Sequence, residues 1–302
     1  MRAPLKILLF GKGGQVGWEL QRSLAPLGEL VALDFDSADH CGDFTNLQGL
    51  VETVRNVRPD VIVNAAAHTA VDKAESEPEL ARTINALAPG VLAEAAQRVG
   101  ACLVHYSTDY VFDGSGNQPW KETDLPAPLS VYGKTKLEGE QLIAAHCPNH
   151  LIFRTSWVYA ARGGNFAKTM LRLAKERDRL TVIDDQIGAP TGADMLADVT
   201  AHAIRSVLQH PEHAGLYHLV AGGQTSWHGY AQFVVDHAQR AGVALKAAVD
   251  AVEPVPSSAF PTAATRPLNS RLDTSKLQST FGLQLSGWQQ GAARMLTETT
   301  QP

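Results

Sequence analysis

Two residues that can exchange a proton with a carbonyl lie one helical turn apart near the middle of the chain, Tyr132 and Lys136. Residues four apart on a helix share one face, with about 5–6 Å between their Cβ atoms. A nearby ammonium favours the phenolate, so we expect Lys136 to lower the pKa of Tyr132 toward neutral pH. Many helices carry this spacing by chance, and it gains meaning only beside other features.

A hydroxyl-bearing segment precedes this pair. Ser107, Thr108 and Asp109 follow an apolar run that predicts a strand. A hydroxyl at the end of that strand is placed to hydrogen-bond the carbonyl oxygen of a substrate.

A glycine-rich segment follows the first apolar run, with Gly11, Gly14 and Gly17 at every third position. Glycines there allow a tight turn, admit a pyrophosphate to backbone N–H groups and let the next helix pack closely on the sheet. Asp34 ends the second predicted strand, where a carboxylate binds the adenosine ribose and repels a 2′-phosphate. Asp34 alone therefore favours NAD over NADP.

Two further segments fit a cofactor but have equally good structural explanations. The alanines of the Asn64–Thr69 segment leave room for a cofactor at the end of a strand, and tight helix–sheet packing explains them equally well. Asp43, which precedes Phe44, could either contact the adenine or cap the next helix.

The first half of the chain alternates apolar runs with amphipathic stretches, which predicts a parallel sheet covered by helices on both faces. The predicted strands are Leu5–Phe10, Leu30–Leu33, Val61–Val63, Cys102–Val104 and Leu151–Phe153. The predicted helices are Trp18–Leu27, Leu47–Val57 behind Thr45 as N-cap, Pro78–Val99 and Tyr132–Ala145.

The second half is less regular. It predicts helices at Phe166–Lys175, Ala193–Leu208, Tyr230–Ala241 and Trp288–Thr297, strands at Leu180–Ile183 and Leu216–Val220, and irregular structure between Pro254 and Pro267. The fold class we expect is α/β, a Rossmann-type doubly wound parallel sheet with a smaller C-terminal α/β substrate-binding lobe. Residues 1–155 would form the NAD(P)-binding domain and 156–302 mainly the lobe, with later segments returning to the sheet.

Composition narrows the function classes. The chain has 302 residues, of which 44% are hydrophobic and 19% charged, as in soluble globular proteins. Its 26 basic and 31 acidic residues give a net charge of −5, so nucleic acid is not an expected partner. The three cysteines lack CxxC spacing, and no apolar run approaches the ~18 residues of a membrane span. A cytoplasmic protein without a membrane segment is expected.

The order of these segments resembles the extended short-chain dehydrogenase/reductases, most of which act on nucleotide sugars. Five blocks are more narrowly similar to the members of that family that reduce dTDP-4-dehydrorhamnose. They are Gly14-Gln15-Val16-Gly17, Asn64 to Asp72, Ser107 to Phe112, Arg154 to Tyr159, and Arg266-Pro267-x-Asn269-Ser270. The blocks span nearly the whole chain.

The resemblance implies reduction of the C4 keto group of dTDP-4-dehydro-β-L-rhamnose to give dTDP-L-rhamnose, a precursor of bacterial surface polysaccharide. Tyr132 would donate the proton, Lys136 would tune it and hold the nicotinamide ribose, and Thr108 would assist at the carbonyl. NADPH is the implied cofactor, with NADH also accepted, which tempers the preference drawn from Asp34.

The resemblance and the residue patterns together give two sets of binding residues. The cofactor set is Gly11, Gly14, Gln15, Val16, Gly17, Asp34, Asp43, Phe44, Ala66, Ala67, His68, Thr69, Tyr132 and Lys136. The substrate set is Val71, Asp72, Thr108, Asp109, Tyr110, Trp157 and Arg266. Trp157 would pack on the pyranose and Arg266 would pair with the diphosphate, although a core tryptophan and a surface arginine explain these two positions as well.

A metal is a further expectation from the resemblance. Some family members hold magnesium through carboxylates at a dimer contact, and the matching positions here are Glu19, Asp194 and Glu298. Asp194 is one methylene shorter than the family's glutamate, and solvated helix acids explain the three equally well. A homodimer is implied by the same resemblance.

Two other functions remain open from the sequence. One is an epimerase or dehydratase acting on a different nucleotide sugar, for which Thr108-Asp109 offers the acidic residue that dehydratases use. The other is a non-catalytic regulator, because relatives of these reductases regulate methionine adenosyltransferase in animals. The intact Thr108, Tyr132 and Lys136 set favours the enzyme.

Overall fold

The computed structural model describes residues 4–300. Its strands are β1 Leu5–Phe10, β2 Gly28–Leu33, β3 Val61–Asn64, β4 Cys102–Thr108, β5 His150–Thr155, β6 Val158–Tyr159, β7 Leu180–Ile183, β8 Ile187–Gly188, β9 Thr191–Gly192, β10 Gly215–His218, β11 Thr225–Ser226 and β12 Val252–Val255. Its α-helices are α1 Gln15–Leu24, α2 Leu47–Val57, α3 Val71–Ser76, α4 Pro78–Arg82, α5 Ala88–Val99, α6 Val131–His146, α7 Phe166–Glu176, α8 Ala193–Val207, α9 Trp227–Arg240, α10 Ser275–Phe281 and α11 Trp288–Thr300.

The central sheet is parallel throughout, in the order β2-β1-β3-β4-β5-β10 among the described residues. The order reverses at β1, since the chain first runs outward to β2 and then crosses back to β3. Ligands bind at the carboxyl ends of the strands next to such a reversal. The predicted Rossmann-type α/β fold is confirmed.

The apolar runs of the strands are explained by burial on both faces. In β1, Ile7 and Leu9 face a cluster with α1, α8 and α10, whereas Leu8 and Phe10 face a cluster with α2, α5 and α6. Alternate side chains of a strand point to opposite faces, so a continuous apolar run is required when helices cover both.

A third cluster forms the C-terminal lobe. It joins α7, α9 and α11 with the parallel pair β7 and β12, around the buried side chains of Tyr230 and Trp288. Other late segments return to the sheet, because β10 pairs with β5 and α8 packs against α1. Residues 1–3 and 301–302, which the two predicted domains include, lie outside the described range. The predicted domain boundary near residue 155 stays a prediction.

Several local predictions need correction. Helix α1 begins at Gln15 and ends at Leu24, earlier than predicted, because Pro26 lies in a separate 3₁₀ turn. The N-cap of α2 is Asn46 and not Thr45, since the Asn46 side chain accepts from the Gly49 N–H at 2.9 Å. The proline-rich stretch contains β12, which tolerates Pro254 because it lies in a two-stranded edge pair with β7. Across residues 4–300, the helices are too short or too polar to cross a membrane.

Candidate active site

The glycine segment forms a close-packed turn between β1 and α1. Gly11 has φ +81°, and a Cβ there would lie 2.8 Å from the backbone N of Ala66. A Cβ at Gly17 would lie 1.9 Å from the Gly11 carbonyl oxygen, so α1 can approach the turn only with glycine at this position. Gly14 is the N-cap of α1 and supplies no side-chain cap. The first N–H groups of α1 are therefore available to an anion.

A cavity of about 270 Å³ lies beside this turn, lined by Gly11, Gly14, Asp34, Phe35, Gly42, Asp43, Phe44, Ala65, Ala66, Ala67 and Ile84. Five of the predicted cofactor residues other than the glycines line it: Asp34, Asp43, Phe44, Ala66 and Ala67. The Asp34 carboxylate accepts from the backbone N–H groups of Gly13 and Phe35, each at 3.0 Å. This fixes its position at the end of β2.

The remaining predicted cofactor residues lie at or near the same edge of the sheet. The Gln15 amide oxygen accepts from the Asn165 side chain at 3.3 Å, and Val16 packs against the cluster under α1. Thr69 is exposed. His68 is held through its backbone, because its N–H donates to the Asn85 side chain at 2.8 Å and its carbonyl accepts from the same amide at 3.1 Å.

Buried polar atoms without a protein partner occur where the chain leaves these strands. They are Nδ1 of His68 after β3, Oγ1 of Thr155 at the end of β5 and Oγ of Ser156 directly after it. Buried polar groups are rarely left unpaired, so these atoms fit a polar ligand at this edge. The glycine turn, the uncapped helix and these atoms together fit a dinucleotide.

Helix α6 carries the Tyr132–Lys136 pair and is held in place at its start and near its middle. Ser130 caps it, accepting from the Gly133 N–H at 3.2 Å. Further along, Glu140 accepts two hydrogen bonds from Arg154 on β5, at 2.6 and 2.9 Å, and one from Ser107 on β4. Both members of this ion pair are buried. The pair ties α6 to the two neighbouring strands, which sets the position of Tyr132.

Thr108 and Tyr132 meet at the end of β4. The Thr108 hydroxyl is buried and donates to Asp109 at 3.1 Å. It also lies close enough to the Tyr132 phenol to lower the pKa of that group. The Tyr132 ring packs edge-on against Tyr110, with 5.5 Å between ring centroids. Burial raises the pKa of Asp109 to about 6 and moves that of Tyr110 above its usual value.

Lys136 takes a position that the sequence did not predict. Its Nζ lies 3.0 Å from Nε2 of His105 and donates to the Tyr106 carbonyl oxygen at 2.6 Å. The expectation that the pKa of Tyr132 lies near neutral pH is wrong for this arrangement, because burial raises it to about 12. The hydrogen bond with Thr108 opposes that rise, and the charge of Asp109 adds to it. Burial also lowers the pKa of Lys136 to about 8.

Two of the substrate residues predicted from the resemblance, Tyr110 and Arg266, line a second cavity of about 280 Å³ together with Phe166 and Trp227. Trp157 stacks on Trp227 with 3.7 Å between centroids. Its φ of +50° is a strained conformation for a side chain of this size. These aromatic faces suit a planar ring.

Arg266, which lines this cavity, forms an ion pair with Asp72. The guanidinium donates to both carboxylate oxygens, at 3.0 and 2.5 Å, and this contact lowers the pKa of Asp72. Val71 begins α3, directly before Asp72. Asp72, which we predicted to contact the sugar, and Arg266, which we predicted to bind the diphosphate, are thus paired with one another.

The three predicted metal carboxylates line one small cavity, together with Arg294. The Arg294 guanidinium lies 3.1 Å from Glu298 and 3.6 Å from Asp194, so it already neutralises two of the three. Glu19 lies 3.5 Å from Arg22. Within residues 4–300, no group of three or more His, Cys, Asp or Glu side chains is arranged to hold a metal ion. This donor set does not fit a magnesium ion within one chain.

Sequence reasoning missed several residues of the site. His105 was overlooked because the predicted strand ended at Val104, whereas β4 continues to Thr108. Phe166 and Trp227 gave no signal, since an aromatic residue at a helix start is ordinary in sequence. The Glu140–Arg154 pair had one usable signal, because Glu140 lies one further turn along the face that carries Tyr132 and Lys136.

The cavity beside the glycine turn and the Tyr132–Lys136 pair lie at one edge of one sheet. A single dinucleotide bound along that edge can reach both, which is how Rossmann-type oxidoreductases bring cofactor and acid together. Fold and site thus define the class of the protein, an oxidoreductase of the extended short-chain dehydrogenase/reductase type.

Comparison with known proteins narrows this class. Residues 5–301 match the family described as "RmlD substrate binding domain". The dTDP-4-dehydrorhamnose reductase of Salmonella typhimurium is 65% identical, over 97% of this chain and 98% of its own length. The chain belongs to the family of dTDP-4-dehydrorhamnose reductases.

Solved structures of similar proteins agree. A dTDP-4-dehydrorhamnose reductase from Clostridium acetobutylicum is 37% identical with a TM-score of 0.87, covering 97% of this chain and 99% of that one. Another, from Bacillus anthracis in complex with NADP, is 36% identical with a TM-score of 0.87, covering 98% and 99%.

Proposed function

We propose that this protein reduces the C4 keto group of dTDP-4-dehydro-β-L-rhamnose to give dTDP-L-rhamnose, with NADPH as the hydride source and NADH as an alternative. The observation that carries the proposal is the proximity of Thr108 and Tyr132 at the carboxyl edge of the sheet, with Lys136 one turn further along α6, in a chain of this family. The reduced nicotinamide, when bound, supplies the hydride to C4.

The cofactor is held by the glycine turn and its surroundings in this proposal. The N–H groups at the start of α1 bind the pyrophosphate, and Asp34, Asp43 and Phe44 form the adenosine end. Gln15, Val16, Ala66, Ala67, His68 and Thr69 complete the cofactor site, and Lys136 holds the nicotinamide ribose. The NADP complex of the B. anthracis relative supports NADPH.

Tyr132 is the general acid in this proposal. A buried phenol with a raised pKa keeps its proton at neutral pH and can deliver it to O4 as the alkoxide forms. Thr108 hydrogen-bonds the same oxygen and holds it near the phenol. The ammonium form of Lys136 then stabilises the resulting phenolate, because both groups lie on one face of α6.

The nucleotide sugar binds across the second cavity. We expect Val71, Asp72, Asp109 and Tyr110 around the sugar, and of these Tyr110 lines the cavity. Trp157 contributes its ring next to Trp227. Arg266 pairs with the diphosphate and keeps part of its hydrogen-bonding capacity for Asp72.

The biological setting is part of the same proposal. The product supplies rhamnose for bacterial surface polysaccharide such as O antigen, and the protein acts in the cytoplasm, as a homodimer. Magnesium is supported only by the shared cavity of Glu19, Asp194 and Glu298, and Arg294 counts against it. Calorimetric titration of the protein with magnesium chloride tests this point. A larger binding heat in the Arg294→Gln variant than in the parent protein would show that the guanidinium and the metal compete.

The proposed reaction is tested by following NADPH and NADH oxidation with enzymatically generated dTDP-4-dehydro-L-rhamnose, with magnesium present or chelated. We expect rapid oxidation and dTDP-L-rhamnose as product in both conditions. Cofactor binding without oxidation would contradict the proposal and favour a different nucleotide sugar or a regulatory role.

A further inference from the structure

A buried chain of polar groups leads from β3 to the Lys136 amine. Asn64 on β3, His105 on β4 and Lys136 on α6 are each only 1–2% exposed. The Asn64 amide nitrogen lies 3.0 Å from His105 Nδ1, and Lys136 Nζ lies 3.0 Å from His105 Nε2. Since the three side chains are shielded from water, their proton positions are set by one another.

The orientation of the Asn64 amide is fixed by the backbone. Its Oδ1 accepts from the Ala66 N–H at 3.0 Å, so its NH₂ group must face His105. An amide NH₂ only donates, and His105 Nδ1 must therefore accept. A neutral imidazole that accepts at Nδ1 carries its proton on Nε2. A doubly protonated ring is disfavoured as well, because two donors would then meet at Nδ1.

The Nε2–H of His105 consequently points at Lys136. An ammonium has only donors, so a charged Lys136 would set N–H against N–H at 3.0 Å. A neutral amine accepts from Nε2–H with its lone pair and still donates to the Tyr106 carbonyl oxygen, 2.6 Å away. The geometry favours the amine.

We propose that Asn64 and His105 are positioning residues that disfavour the ammonium form of Lys136 and thereby set the upper pH limit of the reaction. The inference rests on the proposed function only in its link to turnover. The tautomer of His105 and its contact with Lys136 are properties of the protein alone.

The other charged groups near Lys136 act on it less directly. Glu140, one turn further on α6, favours the ammonium but is occupied by Arg154 from β5. Asp109, in the turn after β4, faces Tyr132. Burial is the main cause that lowers the pKa of Lys136 to about 8, and it lowers that of His105 well below its usual value. His105 therefore stays neutral throughout the working range.

Two substitutions change the donor at His105 Nε2 in different ways. In Asn64→Asp, one carboxylate oxygen still accepts from Ala66 and the other accepts from Nδ1–H, which moves the imidazole proton off Nε2. In His105→Gln, a rotatable amide replaces the fixed donor without adding charge. The control is His218→Gln, which alters another fully buried histidine in the same sheet whose Nδ1 contacts the Trp120 carbonyl.

The first readout is ¹⁵N NMR of histidine-labelled protein, which needs neither cofactor nor activity. We expect the Nε2–H tautomer of His105 in the parent protein and the Nδ1–H tautomer in Asn64→Asp. We also expect the parent His105 signal to shift as Lys136 titrates near pH 8. An Nδ1–H tautomer in the parent would overturn the inference, whatever the protein's substrate.

The second readout is the dependence of kcat on pH. Because the ammonium form is needed to stabilise the phenolate, the parent rate should fall as pH rises through about 8. In Asn64→Asp and His105→Gln this fall should move upward by about one pH unit or more, whereas His218→Gln should leave its midpoint in place. A uniform loss of rate with unmoved midpoints in all three would show a merely structural role and overturn the proposal.

Discussion

The two regions of the molecule build their binding surfaces from different material. Around the glycine turn, the surface is largely backbone, including the uncapped start of α1 and a turn too tight for a Cβ at Gly17. Around the second cavity, the surface is made of side chains, with Trp157 against Trp227 and Arg266 against Asp72. A backbone surface depends on local sequence, whereas a side-chain surface depends on distant segments meeting.

This difference has consequences for substitution. A backbone surface should fail through steric exclusion, when a side chain is added where none fits. A side-chain surface should fail through loss of contact, when a ring or charge is removed. Tyr132 lies between the two surfaces. Its substitution should impair binding at neither of them, since its role is in the reaction itself.

The largest effect is expected for Tyr132→Phe. Removing the general acid should lower kcat by about 10²–10⁴-fold and leave the dissociation constants of both ligands nearly unchanged. Steady-state kinetics and cofactor titration measure these quantities. Tyr217→Phe is the matched control, because it removes a buried phenol whose hydroxyl donates to the His213 carbonyl outside the site. An unchanged rate for Tyr132→Phe would remove this residue from the chemistry.

The next largest effect is expected for Gly17→Ala. A Cβ 1.9 Å from the Gly11 carbonyl forces α1 away from the turn, at a cost of about 1–3 kcal/mol. NADPH should bind at least about tenfold more weakly, and the melting temperature should fall. Gly164→Ala adds the same methyl where nothing lies within 4 Å and should change neither. Equal cofactor affinity in the two variants would break the distinction between the regions.

A smaller and more selective effect is expected for Trp227→Ala. Loss of the ring that supports Trp157 should raise KM for the nucleotide sugar by about tenfold, with the affinity for NADPH unchanged. Trp18→Ala is the control, because that tryptophan is 47% exposed and its ring lies under Arg162. Weakened cofactor binding in Trp227→Ala would mean that the lobe also supports the first cavity.

The smallest effect is expected for Arg266→Gln. The Asp72 carboxylate already neutralises part of the guanidinium charge, and the pair is partly open to solvent. We expect KM for the nucleotide sugar to rise only a few-fold, and less so at high salt, where ion pairing is screened. A rise larger than that of Trp227→Ala would reverse the order of importance in the lobe.

The same contrast explains which features of the fold and the site could be predicted from the sequence. The sheet, its helices and the glycine turn follow from apolar periodicity and glycine spacing, which are local signals. The pairing of Asp72 with Arg266 joins residues 194 positions apart, and no local pattern indicates it. The direction of the Tyr132 pKa shift was also out of reach, because it depends on burial and on the neighbouring Thr108 and Asp109 side chains.

The most direct test of the central claim is isotopic. With NADPH deuterated at the transferable position of the nicotinamide and dTDP-4-dehydro-L-rhamnose as substrate, the product is isolated and analysed by NMR and mass spectrometry. We expect the parent protein to form dTDP-L-rhamnose that carries deuterium at C4, and Tyr132→Phe to form almost none. Product without deuterium, or with deuterium at another ring carbon, would contradict the central claim.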